Sequence, residues 1–250
     1  MQANNILVCD YIELQKTEYE TLTDKIITYI SIIENADIEE LYETDIDTLL
    51  VKYNLYKDII YSLQNSPSKS IIELGEKKLK LINFNDIKFG QFIDLEYFIS
   101  NDYYANLGKI ASILYLKYEE KEFDNDIFES YNLVNLDTRS NYICNNIHII
   151  DILSNINSYL KFRENIFKSY QFFETGLEDI DKDTLTEEEL EIYEEEVAKL
   201  KNSSKDIWER ILETVGNEDL TKYETILDTN LFLVFNRLQR IINNSHKKTS

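Results

Sequence analysis

Residues 45–82 read DIDTLLVKYNLYKDIIYSLQNSPSKSIIELGEKKLKLI, and two periodicities meet inside this stretch. From Ile46 the apolar side chains Leu49, Leu50, Tyr53, Tyr56, Ile60 and Leu63 recur at three- and four-residue spacing, as on a helix with one buried stripe. Asp45 stands where an N-cap belongs, because a short carboxylate can accept a bond from an otherwise unpartnered amide of the first turn. Asn65-Ser66-Pro67-Ser68 ends the helix, since Pro67 has no amide hydrogen to continue it. Beyond it, Leu79 and Leu81 alternate with Lys78 and Lys80, and Gly75 lies between two apolar runs. A period of two around a glycine predicts a β-hairpin, here around residues 70–84. Two isolated strands are marginal in water, so the hairpin must pack on helices or join another sheet.

Working outward, helical spacing dominates. Leu22, Ile26, Ile30 and Ile33 predict a first helix that pairs with the second as a helical hairpin over 18–64. Helices follow over 88–116 (Phe89, Phe92, Ile93 and Phe98, then Leu107, Ile110, Ala111 and Leu114) and over 147–173, with a polar loop or short helix at 118–145. Two more are predicted at 205–215 and 220–243. The fold class is therefore mainly α, a multi-helix bundle-like assembly with one small β-hairpin. A helical domain spans 1–174 and an acidic helical subdomain with a basic tail spans 175–250, with the joint near 174–184.

Charge separates the two ends of that subdomain. Residues 177–196 carry eleven acids against Lys182 alone, and Thr186 with Glu189 has capping-box spacing. Leu190, Tyr193, Val197 and Leu200 keep a 3-4-3 rhythm, so the segment reads as an acidic helix with one apolar seam. From Leu231 onward the chain has no acid, and it carries Arg237, Arg240, Lys247 and Lys248. The acidic faces meet either water or a basic surface, which the basic tail of an identical neighbour would supply.

Composition bounds the functional classes. With 43% hydrophobic and 29% charged residues in 250, the chain can bury a real core, and 5 Gly with 1 Pro exclude collagen-like and linker classes. A net charge of -21 repels nucleic acid and anionic membranes and favours basic partners. No window is long and apolar enough to span a membrane, and no positive region precedes Ile6-Leu7-Val8 as a signal peptide requires. Two cysteines, Cys9 and Cys144, make no disulfide framework and fit a reducing compartment.

Catalytic and metal motifs are incomplete. Asp179, Asp181 and Asp183 alternate as calcium ligands do, but Thr184 and Leu190 stand where a calcium loop needs Gly and Glu. His148 and His246 lie far apart, without metal-ligand spacing. Glu76-Lys77-Lys78 has the Glu-x-Lys spacing of a nuclease superfamily, yet that site also needs an upstream Asp on an adjacent strand, and the nearest, Asp58, reads as helical. Lysines on an edge strand also discourage edge-to-edge pairing. No catalytic residue, metal or cofactor is expected, and no hydrolase or nuclease activity. The aromatic group Phe89, Phe92, Tyr97, Phe98, Tyr103 and Tyr104 is either core or an interface anchor, with Phe92 and Phe98 expected to be substantially buried. Candidate interface residues are Phe89, Phe92, Phe98, Tyr103 and Tyr104, the carboxylates Glu187, Glu188, Glu194 and Glu195, and the bases Arg237 and Arg240.

Residues 79–118, LKLINFNDIKFGQFIDLEYFISNDYYANLGKIASILYLKY, resemble a segment of structural and tail-assembly proteins of tailed bacteriophages, crAss-like phages included. The matching residues are Phe89, Gly90, Gln91, Phe92, Ile93, Asp94 and Leu95, then Leu107, Ile113, Leu114 and Tyr115. The family often ends this helix with Leu-Tyr-Arg, whereas Leu116 and Lys117 follow Tyr115 here. The biased use of Ile, Asn, Lys and Tyr fits the AT-rich codons of such genomes. The resemblance implies a non-enzymatic virion protein, a multi-copy component of the neck or tail (a head-to-tail connector or ring). It would bind other phage structural proteins and itself, in the virion and in the host cytoplasm during assembly. The alternatives are a tail-assembly chaperone absent from the mature virion and an acidic decoy or regulator of a basic partner.

Overall fold

The structure, a computed structural model, describes residues 6–63, 66–74, 77–120, 126–170 and 207–248. It is mainly α-helical with a small four-stranded antiparallel sheet. The chain forms two compact units. One comprises Met1–Ile82 and Leu95–Leu160, the other Asn83–Asp94 and Lys161–Ser250. The joint expected near 174–184 lies outside the described residues; the first unit runs to Leu160, and residues 83–94 group with the C-terminal part.

The first unit begins with helices α1 (Val8–Lys16), α2 (Leu22–Glu34), α3 (Ile38–Tyr42) and α4 (Ile46–Leu63). Each start has a local cause. The Thr21 hydroxyl oxygen accepts from the Asp24 amide at 3.1 Å, Asp37 caps α3 through the Glu39 amide at 2.9 Å, and Asp45 caps α4 through the Thr48 amide at 3.2 Å. Asn35 closes α2 in the left-handed conformation, with φ of 51°, a position that asparagine tolerates. Ile26 and Ile30 of α2 and Leu49, Tyr56, Ile60 and Leu63 of α4 are buried as the stripes require, whereas Leu22 and Ile46, at the open first turns of the two helices, are exposed. The hairpin expected over 18–64 thus has a short third helix at its turn.

A polar clasp holds α2 to α4. Glu34 accepts hydrogen bonds from the Tyr56 hydroxyl and from Lys52, the latter at 3.0 Å. Burial opposes the charge on Glu34, but the two donors outweigh it and hold the carboxyl below the usual range. Burial and the Glu34 carboxylate push the Tyr56 hydroxyl up to about 12. A carboxyl depressed in the folded state stabilises the fold above its unfolded value, and that contribution disappears as pH falls through the folded value. Glu34→Gln is therefore expected to cost about 1–2 kcal/mol at neutral pH, in the range of charge-assisted bonds, and nothing once Glu34 is protonated. Urea melts at a series of pH values from 7 downward check this, because the difference between variant and parent should shrink as pH falls.

The sheet runs in the order β1 (Ile71–Leu74), β2 (Lys77–Leu81), β3 (Tyr115–Glu119), β4 (Ile127–Phe128). Ile72 pairs with Leu79, both buried, and Glu73 pairs with Lys78 on the exposed face. The expected hairpin is present; its turn, Gly75-Glu76, lies outside the described residues. The hairpin does not stand alone, because β2 also pairs with β3, Leu81 opposite Tyr115. Helices α5 (Phe89–Ser100) and α6 (Leu107–Leu114) divide the stretch 88–116 expected to be helical, and α6 passes into β3 at Tyr115 without a connecting loop. α7 (Leu136–Asn146) is the short helix allowed for within 118–145. α8 (Leu153–Ser169) begins six residues later than expected, after the single turn Ile149–Asp151.

α6 is the central element of this unit. Every residue from Leu107 to Leu114 except Lys109 is buried, which is the pattern of a helix enclosed on all sides. It packs on α7 across Gly108, and Ser112 returns its hydroxyl to the Gly108 carbonyl at 2.7 Å.

The second unit contains the start of α5, the end of α8, α9 (207–216), α10 (Tyr223–Leu227) and α11 (Leu231–Lys248). The single helix expected over 220–243 is broken at Asp228-Thr229-Asn230. There the Asn230 side chain caps α11 by accepting the Phe232 amide at 3.0 Å, and Leu231 and Thr229 bond to the backbone of Ile87 and Phe89.

Candidate functional site

Of the residues that carry the resemblance, Phe89–Asp94 belong to the second unit, where Phe89 and Phe92 join an aromatic core, and Leu95, Leu107, Ile113, Leu114 and Tyr115 belong to the first. Phe89 and Phe92 are both 0% exposed. Phe92 meets Phe235, Trp208 and Phe167 edge-on at centroid distances of 5.9, 5.7 and 6.1 Å. Phe89 meets Phe235 at 5.8 Å and Trp208 at 6.3 Å. Edge-to-face pairs of this kind add to the burial of the rings. Tyr170 completes the group at 5.1 Å from Phe235 and donates to the Asn236 side chain at 3.1 Å.

The polar residues of the same motif fix the helix start. Gln91, almost fully buried, accepts the Lys88 amide at 2.9 Å, the side-chain half of a capping box. Phe89 donates to Thr229 and Leu231 donates to Ile87, both at 2.9 Å, so the entry to α5 is bonded to the entry to α11. A Cβ on Gly90 would stand 3.2 Å from the Leu227 carbonyl oxygen, which accounts for glycine there.

The candidate anchors separate accordingly. Phe89 and Phe92 are core side chains and are not exposed for contact with a partner. Phe98, in the first unit, is 9% exposed beneath the Lys109 ammonium, 5.1 Å from its ring. Tyr103 is half-buried, and burial followed by neighbouring Tyr11 and Tyr104 pushes its hydroxyl well above the usual range. Tyr104 is half-exposed and lies against Tyr103 and Tyr11 at 5.1 and 6.5 Å. Glu187, Glu188, Glu194 and Glu195 lie outside the described residues, as does the Asp179–Leu190 stretch weighed for calcium. Arg237 and Arg240 are exposed on α11 and form no ion pair among the described residues.

Groups weighed for catalysis have structural surroundings. Burial and then the Asp10 carboxylate push the Cys9 thiol up to about 11, and burial also raises Cys144, so both stay protonated at neutral pH and are weak nucleophiles. His148 bridges Leu7 through its backbone. Asp58 is an exposed residue of α4, and the described strands beside β2 carry no aspartate. Among the described residues no group of three His, Cys, Asp or Glu side chains is placed to hold a metal ion. Among them, too, no helix is long and apolar enough to cross a membrane.

The features missed by sequence reading are the ones that hold the motif: Trp208, Phe167 and Phe235 from distant parts of the chain, and the α5–α11 clamp. Their periodicity marked them as apolar, but nothing in it says which helix they face. No family model matches the chain, and neither a curated protein nor a solved structure matches it.

Proposed function

We propose that this chain is a non-enzymatic structural protein of a tailed bacteriophage, a multi-copy component of the neck or tail that works through protein contacts. The observation that supports it is how the resembling residues are used. Phe89, Phe92, Leu95, Leu107, Ile113, Leu114 and Tyr115 are all 0% exposed, and Gln91 and Gly90 serve the helix start. The motif is a packing device, so what a resembling protein shares through it is a shape rather than a reaction. A scaffold of this kind leaves function to its surface, which is acidic over most of the chain and basic on α11. Its partners would be other structural proteins of the particle and further copies of itself.

Quantitative mass spectrometry of purified particles tests the reading. Peptides of this chain in a fixed ratio of several per particle, retained through a density gradient, are the expected result. Abundance in the infected cell with absence from the particle would replace it with the assembly-chaperone reading.

A further inference from the structure

α11 presents one face that its own unit does not use. Leu231, Val234, Phe235 and Leu238 are buried, and on the opposite side Leu233 is 63% and Ile241 36% exposed. Leu233, Arg237 and Ile241 follow at four-residue spacing, a stripe about 12 Å long at the helical rise, with Arg240 beside it. Single exposed aliphatics are ordinary, but these two bracket two guanidiniums on a helix that contains no acid. Among the described residues neither arginine holds an ion pair, on a chain of net charge -21.

We infer that the Leu233–Arg237–Arg240–Ile241 face of α11 is a docking surface for the acidic segment 177–196 of a second copy of this chain. The complementarity is of charge and pattern. That segment carries eleven acids and one base, and in the sequence its apolar residues Leu190 and Tyr193 stand between the carboxylate pairs Glu187-Glu188 and Glu194-Glu195. Arginine suits such a contact because its planar fork can bond a carboxylate in two places. Nucleic acid would meet the same arginines, but the net charge of the whole chain repels it. The inference rests on the multi-copy reading; a negative result below removes this contact and leaves incorporation into particles to be judged by mass spectrometry.

The test is sedimentation velocity of the full chain at about 150 mM salt, where charges beyond about 8 Å are screened. Three variants are compared: R237E/R240E, E187K/E188K/E194K/E195K, and K57E/K117E, which matches the charge change of the first on exposed lysines of the first unit. The parent is expected to self-associate. R237E/R240E should weaken association about tenfold or more, as loss of centrally placed charge pairs does, and K57E/K117E by no more than about threefold. Mixing the two reversed variants should restore a complex, because the exchanged charges again face each other. A monomeric parent overturns the proposal, as does equal weakening by the control. If both reversals placed in one chain restore stability without association, the segment docks within its own chain, and the proposal is likewise overturned. Binding of a labelled DNA duplex that R237E/R240E abolishes would assign the face to nucleic acid instead.

Discussion

Replacing Phe92 with alanine is expected to destabilise the second unit by about 3–5 kcal/mol, the usual cost of truncating a phenylalanine enclosed on all sides. The ring is 0% exposed and touches aromatic side chains from α8, α9 and α11. Truncation removes its own burial and also leaves a cavity that three rigid rings cannot collapse into. Trp208, the one tryptophan of the chain, stands 5.7 Å from Phe92 and so reports the change directly. Urea unfolding followed by its fluorescence should show the midpoint falling and the native emission shifting red as water reaches the indole. A loss below about 1 kcal/mol would mean that the ring is not part of a closed core, and the packing role given to the motif would fail with it.

Gly108→Ala should have the second large effect, of about 1–3 kcal/mol, from overpacking rather than from a cavity. A Cβ at this position would lie 2.4 Å from the Cys144 sulfur, 2.7 Å from the Ser140 hydroxyl and 3.1 Å from the Ser140 carbonyl. The first two can rotate away at some cost, but the carbonyl belongs to the α7 backbone, so the helices must separate. Cys144→Ala removes the nearest of the three. The double variant G108A/C144A is expected to be more stable than the sum of the single losses, by circular dichroism melts of all four proteins. Strict additivity would show that α6 and α7 do not approach each other as closely as this packing requires.

These two positions mark how far the sequence is legible. The stripe from Leu49 to Leu63, the cap at Asp45 and the hairpin around residues 70–84 follow from local periodicity and appear as read. Local periodicity is weak wherever an element is enclosed. From Ile110 to Leu116 the chain is apolar but for Ser112, so neither a period of 3.6 nor one of two stands out, and the passage from α6 to β3 at Tyr115 leaves no sign. Tyr115 takes a strand conformation for non-local reasons: its hydroxyl donates to the Lys69 carbonyl at 2.8 Å and accepts from Asn155 at 2.7 Å. The break at Asp228-Thr229-Asn230 has a similar origin, since it exists to meet Ile87 and Phe89. Of the candidate contact residues, the aromatic ones could be read as core or as surface, and only the neighbours Trp208, Phe167 and Phe235 decide for Phe89 and Phe92. Arg237 and Arg240 are legible in the sequence only as bases in a stretch without an acid, and their exposure follows from the structure, where Leu231, Val234, Phe235 and Leu238 turn the other side of α11 inward.

The proposed role is that of a repeated structural subunit whose contacts lie on its surface while the motif stays within. A cryo-electron microscopy reconstruction of the neck and tail of the particle, at side-chain resolution, tests it most directly. The predicted result is a set of symmetry-related copies, each with Phe89, Phe92 and Leu95 enclosed in its own core and with the Leu233–Ile241 face of α11 at a contact between neighbours. A complete reconstruction with no copy of the chain, or copies joined by Phe89 and Phe92 drawn out of their own unit into a neighbour, would contradict it.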